Sequence, residues 1–339
     1  MMRSTHRCLA LCVPFLLAAC AAPFASTPQP RTIQGAPALS HATASGTLYV
    51  ANARTVTAYA PNSSTPARTI SGVAPLSIAL DTAGDLYVGN YRGFGNDVVE
   101  YAAGGTSIVR KIRKGVVSPR AIAFDANGEL YVANEQAAPG TVTIYGRAKT
   151  TPIRTIREGL SHPGGLAFDS TGTLYVGNIS KDVTEYYPGT NKLALTIYQG
   201  IAGPLSIFVD PAGNFCAVNN FTVTIYAPGQ NVPLYTITDG VTLPSTLAFD
   251  GTGNMYVASW GPDRYRSTVS VYRPGSVRPF RLIRKGISDP SAMLFDASGN
   301  LYVSNYGANT VTVYPPGKGL PSRTIREGIV HPLRLAMIP

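Results

Sequence analysis

Three ionisable residues, His162, Asp289 and His331, each stand directly before a proline at corresponding places in the chain. Two imidazoles and one carboxylate are a ligand set with which proteins hold a divalent ion while leaving positions open for a substrate. Such a site at a channel mouth would support a metal-assisted lyase or lactonase. The simpler interpretation, which we favour, leaves the three as loop residues that face a channel or cap a turn.

A second group combines aromatic side chains with arginine and glutamate in connections that are longer than their counterparts elsewhere in the chain. The candidate ligand-binding residues form two sets: Tyr91, Arg92 and Glu135, and Trp260, Arg264, Tyr265 and Tyr306. Aromatic residues and arginine are enriched where binding energy concentrates, and insertions in repeat proteins often gather on the binding face. The alternative is a set of tolerated surface loops whose aromatic rings cover the ends of strands.

Other recurrent polar residues indicate structure rather than catalysis. Six aspartates each stand three residues before a glycine: Asp81, Asp125, Asp169, Asp210, Asp250 and Asp296. This spacing predicts a tight hairpin in which the carboxylate bonds the turn and glycine accepts a positive φ. Four recurrent serines lack neighbours that would activate a nucleophile, and no pair of carboxylates is placed for acid–base chemistry. We therefore expect no catalytic residues, no cofactor and no bound metal.

The elements that position these residues come from an internal repeat. Related strand sequences of the type Leu-Tyr-Val-Ala/Gly-Asn begin at Leu48, Leu86, Leu130, Leu174, Phe215, Met255 and Leu301. Their mean spacing is about 42 residues, and each period adds three further short strand patterns. Four short strands in such a period are the signature of a propeller blade. The sequence predicts an all-β, seven-bladed β-propeller of four-stranded blades.

Closure of the ring depends on the last residues of the chain. The apolar segment 333–338 has no further repeat to join, and the blade that begins at Leu48 lacks a good innermost strand. We expect this C-terminal strand to complete that blade, because the pairing removes two open sheet edges.

The repeat resembles the superfamily of propellers that contains NHL repeats and virginiamycin B lyase. The segments His162–Asp169 and Leu130–Asn134 carry the resemblance, which covers about residues 31–339. It implies the propeller fold but not one activity, because these propellers include lyases, lactonases, scaffolds and peptide binders. The glutamate of the lactonases has no match on the innermost strands. The lyases also use a paired histidine and glutamate, and no such pair can be placed in this sequence.

The first residues have the pattern of an export signal. Arg3 and Arg7 precede a short apolar stretch that ends in Leu17-Ala18-Ala19-Cys20, which resembles the lipobox of bacterial lipoproteins. We expect a signal peptide at 1–19, lipidation (palmitate) at Cys20, a tether at 20–46 rich in proline, alanine and serine, and the propeller at 47–339. The outer membrane is favoured over the inner one. The alternative is an ordinary signal that leaves a secreted or periplasmic protein.

Charge and cysteine content bear on the partners of the protein and on its disulfides. The net charge of +10 falls to +8 without Arg3 and Arg7, and no segment concentrates it, so we expect no nucleic acid partner. Cys216 would be the one thiol left for the folded part, so no disulfide is expected there. We predict a monomer, held at the membrane only by its lipid, that binds an envelope protein or glycan. A scaffold subunit of an envelope assembly is a further possibility.

Overall fold

The computed structural model describes residues 46–337, except for Arg92, Phe94, Ala138, Ser180 and residues 262–265. This part of the chain contains 28 strands and one 3-10 helix, Tyr306–Ala308. No helix within it is long and apolar enough to cross a membrane. The predicted signal peptide, Cys20 and nearly all of the tether lie outside the described residues, as do Arg92, Arg264 and Tyr265. These predictions are therefore not tested.

The strands are short and rich in valine, isoleucine, tyrosine and threonine, residues that fit a pleated and buried surface. The first fifteen are β1 (Leu48–Ala51), β2 (Thr55–Tyr59), β3 (Arg68–Ser71), β4 (Pro75–Leu80), β5 (Leu86–Asn90), β6 (Val98–Tyr101), β7 (Ile108–Ile112), β8 (Pro119–Phe124), β9 (Leu130–Asn134), β10 (Thr141–Tyr145), β11 (Arg154–Ile156), β12 (Pro163–Phe168), β13 (Leu174–Asn178), β14 (Val183–Tyr186) and β15 (Leu193–Ile197). The remaining strands are β16 (Ser206–Val209), β17 (Phe215–Val218), β18 (Val223–Tyr226), β19 (Tyr235–Ile237), β20 (Pro244–Phe249), β21 (Met255–Ser259), β22 (Thr268–Tyr272), β23 (Arg281–Ile283), β24 (Pro290–Phe295), β25 (Leu301–Asn305), β26 (Thr310–Tyr314), β27 (Arg323–Ile325) and β28 (Arg334–Met337).

These strands form seven four-stranded antiparallel sheets, here blades 1 to 7 in chain order. Blades 2 to 7 each use four consecutive strands, from β4–β7 to β24–β27. Blade 1 combines β1, β2 and β3 with β28, which pairs with β1 so that Val50 lies opposite Leu335. The predicted seven-bladed β-propeller, closed by the C-terminal strand, is confirmed.

The innermost strands surround a central channel. Each of them contacts the innermost strands of both neighbouring blades, including β28, which lies between β4 and β24. Five of these strands begin at a proline, and β16 and β28 begin two residues after one; this proline is here called the entry proline. Two residues after that proline, six blades carry the small side chains Ser77, Ala121, Gly165, Ser206, Thr246 and Ala292. Small residues suit this level because seven strands converge there.

Apolar packing between adjacent blades forms the core. Between blades 2 and 3, for example, Tyr87 and Val98 pack against Leu130 and Val132. The Tyr87 ring also meets Phe124 edge to face, with ring centroids 4.9 Å apart. Burial of a large apolar side chain stabilises the fold by about 1.5–3 kcal/mol. A blade without its neighbours would expose these side chains to water, so the blades depend on one another.

The two ends of the channel are built differently. At the turn face, hairpins join the first and second strands of each blade. Asp81 Oδ1 accepts hydrogen bonds from the backbone amides of Ala83 and Asp85, and Gly84 has a φ of 85°. The equivalent aspartates of the other turns, Asp125, Asp169, Asp210, Asp250 and Asp296, accept the same pair of bonds. The prediction that each carboxylate serves its own turn is confirmed.

The opposite end is the entry face. It consists of the connections between the second and third strands of each blade, such as the connection that follows β5, and of the residues directly before each entry proline. The longer connections predicted from the sequence begin on this face.

We expect Leu335→Asp to open the ring. Leu335 is partly buried and packs against a buried cluster that includes Val50 and Val313, and aspartate there would replace these apolar contacts with a charged group. The expected loss in the free energy of unfolding is about 2–4 kcal/mol, measured by urea denaturation. Leu320→Asp is the control, because Leu320 is 69% exposed and its change should stay within about 0.5 kcal/mol. Equal losses in both variants would contradict closure by β28.

Candidate functional site

A buried asparagine at the end of the second strand builds the entry face. In blade 3, Asn134 Oδ1 accepts a hydrogen bond of 2.8 Å from the backbone N–H of Val117, and its Nδ2 donates to the hydroxyls of Thr141 and Thr143. Equivalent bonds to the entry connections are made by Asn52, Asn90, Asn178, Asn219, Ser259 and Asn305. These side chains therefore tie two connections of the entry face together.

The residue before the entry proline has a second backbone function. His162, Asp289 and His331 have φ values of 53°, 46° and 47°, in the left-handed region that few residues other than glycine adopt. The carbonyl of His162 accepts a hydrogen bond from the amide of Ile179, and that of Asp289 accepts one from Tyr306. These bonds hold the entry connection against the next connection of the same blade. The position therefore has a structural task that does not depend on its side chain.

The side chains of the three candidate metal ligands stay apart. His331 belongs to blade 1, Asp289 to the adjacent blade 7, and His162 to blade 4, three blades away. The His331 ring contacts Tyr306 with centroids 4.9 Å apart, and His162 Nδ1 lies 3.4 Å from Ser161 Oγ. Among the described residues, no group of three or more histidine, cysteine, aspartate or glutamate side chains could hold a metal ion.

Among the described residues, six of the seven blades expose large apolar side chains on the entry face, and four of these blades in succession, 5, 6, 7 and 1, form what is here called the apolar arc. This apolar arc comprises Leu205 and Phe221 of blade 5, Leu243 and Trp260 of blade 6, Tyr306 of blade 7 and Val330 of blade 1. Phe221 is 67% exposed and Trp260 is 44% exposed. The Trp260 indole N–H donates to the carbonyl of Pro290 at 2.8 Å, which holds the ring in place. Of the predicted second set, Trp260 and Tyr306 thus lie on adjacent blades.

The first predicted set is divided between two environments. Tyr91 is exposed on blade 2. The Glu135 carboxylate, by contrast, lies 3.8 Å from the guanidinium of Arg120 at the mouth of the channel. Glu135 therefore belongs with the channel rather than with an outer aromatic patch.

Two arginines that the sequence interpretation overlooked line the channel. Arg120 directly follows the entry proline of blade 3, and Arg334 lies two residues after that of blade 1. A section of the channel of about 240 Å³ is lined by both, and they are its only charged residues in the described part of the chain. Burial, together with the positive charge of Arg120, lowers the pKa of Arg334 to about 10. For Arg334, the sequence signal was an arginine at a position where the other repeats carry small residues.

The recurrent serines at the same level link neighbouring blades. Ser77 Oγ donates to the carbonyl of Pro119 at 3.1 Å, and Ser245 Oγ donates to that of Pro290 at 2.6 Å. Ser291 makes the corresponding bond to Pro332, and Ser206 bonds the backbone of blade 6. Each hydroxyl thus has a structural acceptor in the next blade.

Two buried glutamates form a further group that was not predicted. Glu100 lies between Tyr87 and Arg110 across three strands of blade 2, and its carboxylate is 2.5 Å from the Arg110 guanidinium. In blade 4 the same arrangement places Glu185 between Tyr175 and Leu195, so the arginine is missing.

The glutamate of blade 4 is enclosed. Burial, with a smaller contribution from the charge of Asp169, raises the pKa of Glu185. Its Oε2 and the hydroxyl of Tyr175 are buried without a hydrogen-bond partner. The ring of Phe215 from blade 5 stacks on Tyr175 at 4.9 Å. A raised pKa can indicate a catalytic acid, but this carboxyl lies between two blades rather than in the channel.

Comparisons with known proteins show the fold. No family model and no curated protein matches the chain. A functionally unknown protein from Desulfotomaculum acetoxidans DSM 771 has a similar crystal structure, with a TM-score of 0.73 and 16% identity over 86% of this chain and 99% of that one. Kuenenia stuttgartiensis hydrazine synthase is similar with a TM-score of 0.59 and 17% identity, over 70% of this chain and 76% of that one. Identities this low support the β-propeller only, and the resemblance to NHL-repeat proteins stays a prediction.

We expect Glu185→Val to stabilise the protein at neutral pH. Valine, which blades 6 and 7 carry at this place, removes a buried carboxylate that lacks a cation, and the expected gain is about 1–3 kcal/mol in the free energy of unfolding. Because the pKa of Glu185 is raised in the folded state, protonation stabilises the wild type as the pH falls. The gain should therefore be largest above the folded pKa and should disappear below about 4.5.

The matched control for this prediction is Glu100→Val. Burial raises the pKa of Glu100 as well, but Arg110 offsets part of that effect, and removal of the carboxylate would leave Arg110 without this partner, so the gain at neutral pH should be clearly smaller than for Glu185→Val. Urea denaturation of both variants between pH 4 and pH 7.5 measures the difference. A gain for Glu185→Val that does not change with pH would show that the carboxyl is not the source.

Proposed function

We propose that this protein is a non-catalytic binding module that takes an envelope protein or glycan on its entry face. The observation that carries the proposal is the apolar arc, in which four consecutive blades expose large apolar side chains beside the channel mouth. Exposed apolar groups that cluster on one face are typical of binding surfaces, especially when aromatic residues are present. The connections that carry them are held by the buried asparagines, so the surface is formed before a ligand arrives.

The proposed location is the cell envelope. The lipobox-like segment before Cys20 and the following segment rich in proline, alanine and serine support a lipid-anchored propeller on a tether. Such an anchor would leave the entry face accessible to envelope components, and the outer membrane is the favoured site.

We expect Trp260→Ala and Tyr306→Ala each to weaken ligand binding about tenfold or more, because aromatic anchors commonly contribute 2 kcal/mol or more to an interface. The measurements are a glycan array and cross-linking to envelope extract, with each captured ligand then titrated against purified variants. Tyr187→Ala is the control, since Tyr187 is 49% exposed but follows the third strand of blade 4 at the turn face.

Two results would decide the proposal. Binding that is lost in both arc variants and kept in Tyr187→Ala supports it. Ligands that bind all three variants as tightly as the wild type would refute it.

We expect Cys20→Ser to release the protein from the membrane fraction, because a hydroxyl cannot accept the thioether-linked lipid. Fractionation of cells and mass spectrometry of the N-terminal peptide measure the change. Cys216→Ser serves as the control, since Cys216 is buried in blade 5. A wild-type protein that is recovered in the soluble fraction without lipid would instead support the ordinary signal peptide.

A further inference from the structure

The channel section nearest the entry face carries uncompensated positive charge. Arg120 and Arg334 both line it, together with hydroxyl side chains such as Ser77 and Thr246. The Arg334 guanidinium donates a hydrogen bond of 3.0 Å to the backbone carbonyl of the preceding residue, Leu333. Among the described residues, the only ion pair of these two arginines joins Arg120 to the Glu135 carboxylate, 3.8 Å away. Glu135 therefore partly compensates Arg120, whereas Arg334 has no ion-pair partner among the described residues.

Packing does not require an arginine at this level. The other six blades carry serine, alanine, glycine or threonine at the position that Arg334 occupies in blade 1. Its sheet position is also the same, because Arg334 pairs with Ala51 as Ser77 pairs with Gly89. A small residue would complete the ring equally well.

The arrangement of the two arginines is unfavourable for the protein by itself. Transfer of a charged group from water into a protein costs several kcal/mol unless a partner compensates it. A second positive charge nearby adds to that cost, and both effects lower the pKa of Arg334. Groups held in a costly environment concentrate at functional sites, where the ligand supplies what the protein lacks.

We propose that Arg334 and Arg120 bind an oxyanion, a carboxylate, sulfate or phosphate group, on a ligand that enters from the entry face. The planar donors of guanidinium match these groups and form charge-assisted hydrogen bonds with them. The inference rests on the proposed function and deepens it, because it makes the ligand acidic. The body of the ligand covers the apolar arc while its anionic group enters the channel.

The size of the site limits what can enter. A section of about 240 Å³ accommodates a sugar acid or a small oxyanion but not a folded chain. Gly164 of blade 4 also lines this section, where a Cβ would approach the Ile179 side chain to 2.6 Å. The channel therefore selects an end group or a protruding acidic group.

Titration of the purified propeller with glucuronate, sulfate and inorganic phosphate tests this proposal. Calorimetry and thermal unfolding should be carried out at low ionic strength, because salt screens exposed charges. We expect the wild type to bind at least one of the three and to be stabilised by it, and the preferred probe separates a carboxylate ligand from a sulfated or phosphorylated one. Arg334→Met and Arg120→Gln should each weaken that binding about tenfold or more.

The control variant is Arg157→Gln, which removes the same charge from an exposed site after the outer strand of blade 3. Its affinity for the probe should equal that of the wild type. A loss of similar size in Arg157→Gln would overturn the proposal, because it would reflect the net charge of the protein rather than the channel.

Stability of the free protein separates a ligand-binding role from a structural one. Without a probe, Arg334→Met should unfold at the same temperature as the wild type or a higher one, because it removes an uncompensated charge. An unfolding temperature that falls, with the probe-induced shift unchanged, would show a structural arginine and overturn the proposal. If Arg334→Met does not fold, the probe affinity and unfolding temperature of Arg120→Gln provide an independent test.

Failure of this proposal is distinguishable from failure of the proposed function. Trp260→Ala should still bind the small anion, since its indole lies on the arc and not in the channel lining. If no probe binds the wild type although Trp260→Ala loses its macromolecular ligand, the channel site is refuted and the binding face stands. If the probe binds and the arc variants keep every ligand, the binding face is refuted instead.

Discussion

No blade of this propeller can bury its apolar faces alone, and the rest of the structure follows from that constraint. Tyr87 and Val98 of blade 2 are covered only because Leu130 and Val132 of blade 3 lie against them. The same dependence passes around the ring until the last blade needs the first. The pairing of β28 with β1 therefore protects every interface, because an open ring would expose apolar surface at two blades.

Because the strands and turns of the blades repeat so regularly, the connections between them can differ in sequence. On the entry face, two features hold the connections in nearly every blade. A side chain at the end of the second strand, asparagine in all blades except blade 6, accepts a bond from the entry connection, and the residue before the proline has left-handed backbone in all blades except blade 2. These bonds use backbone groups, so the side chain at that position can change from Ser118 to His162 to Leu243 without loss of the frame. The differences between blades accumulate on one face, and there they produce an apolar arc on blades 5 to 1 rather than a uniform surface.

The sequence predicted the number of blades, the turns and the closing strand because each depends on local spacing. Asp81 and Gly84 act within one turn, and a period of about 42 residues defines a blade without reference to its neighbours. Contacts across a sheet were not predicted in this way. In the structure, Arg154 donates to the Tyr131 hydroxyl at 2.9 Å across the sheet, a contact that needs the register of strands to be known. The channel site was missed for a related reason. Several innermost strands have an irregular register just after the entry proline, as between Pro75 and Ser77, so alternation along the strand does not tell which side chain enters the channel.

The position of Arg334 on the closing strand connects the channel to the stability of the ring. The strand β28 comes after the last complete repeat, so its sequence is not bound by what an innermost strand must be within that repeat. An anion held between Arg334 of blade 1 and Arg120 of blade 3 would bridge the closing strand and an internal blade. A ligand that binds only the folded state stabilises it by RT ln(1 + [L]/Kd), about 2.7 kcal/mol at a hundredfold excess over Kd. Under the proposed function, a bound acidic ligand would therefore also strengthen the closure on which all seven interfaces depend. Occupation of the channel would then change the stability of the strand that closes the ring.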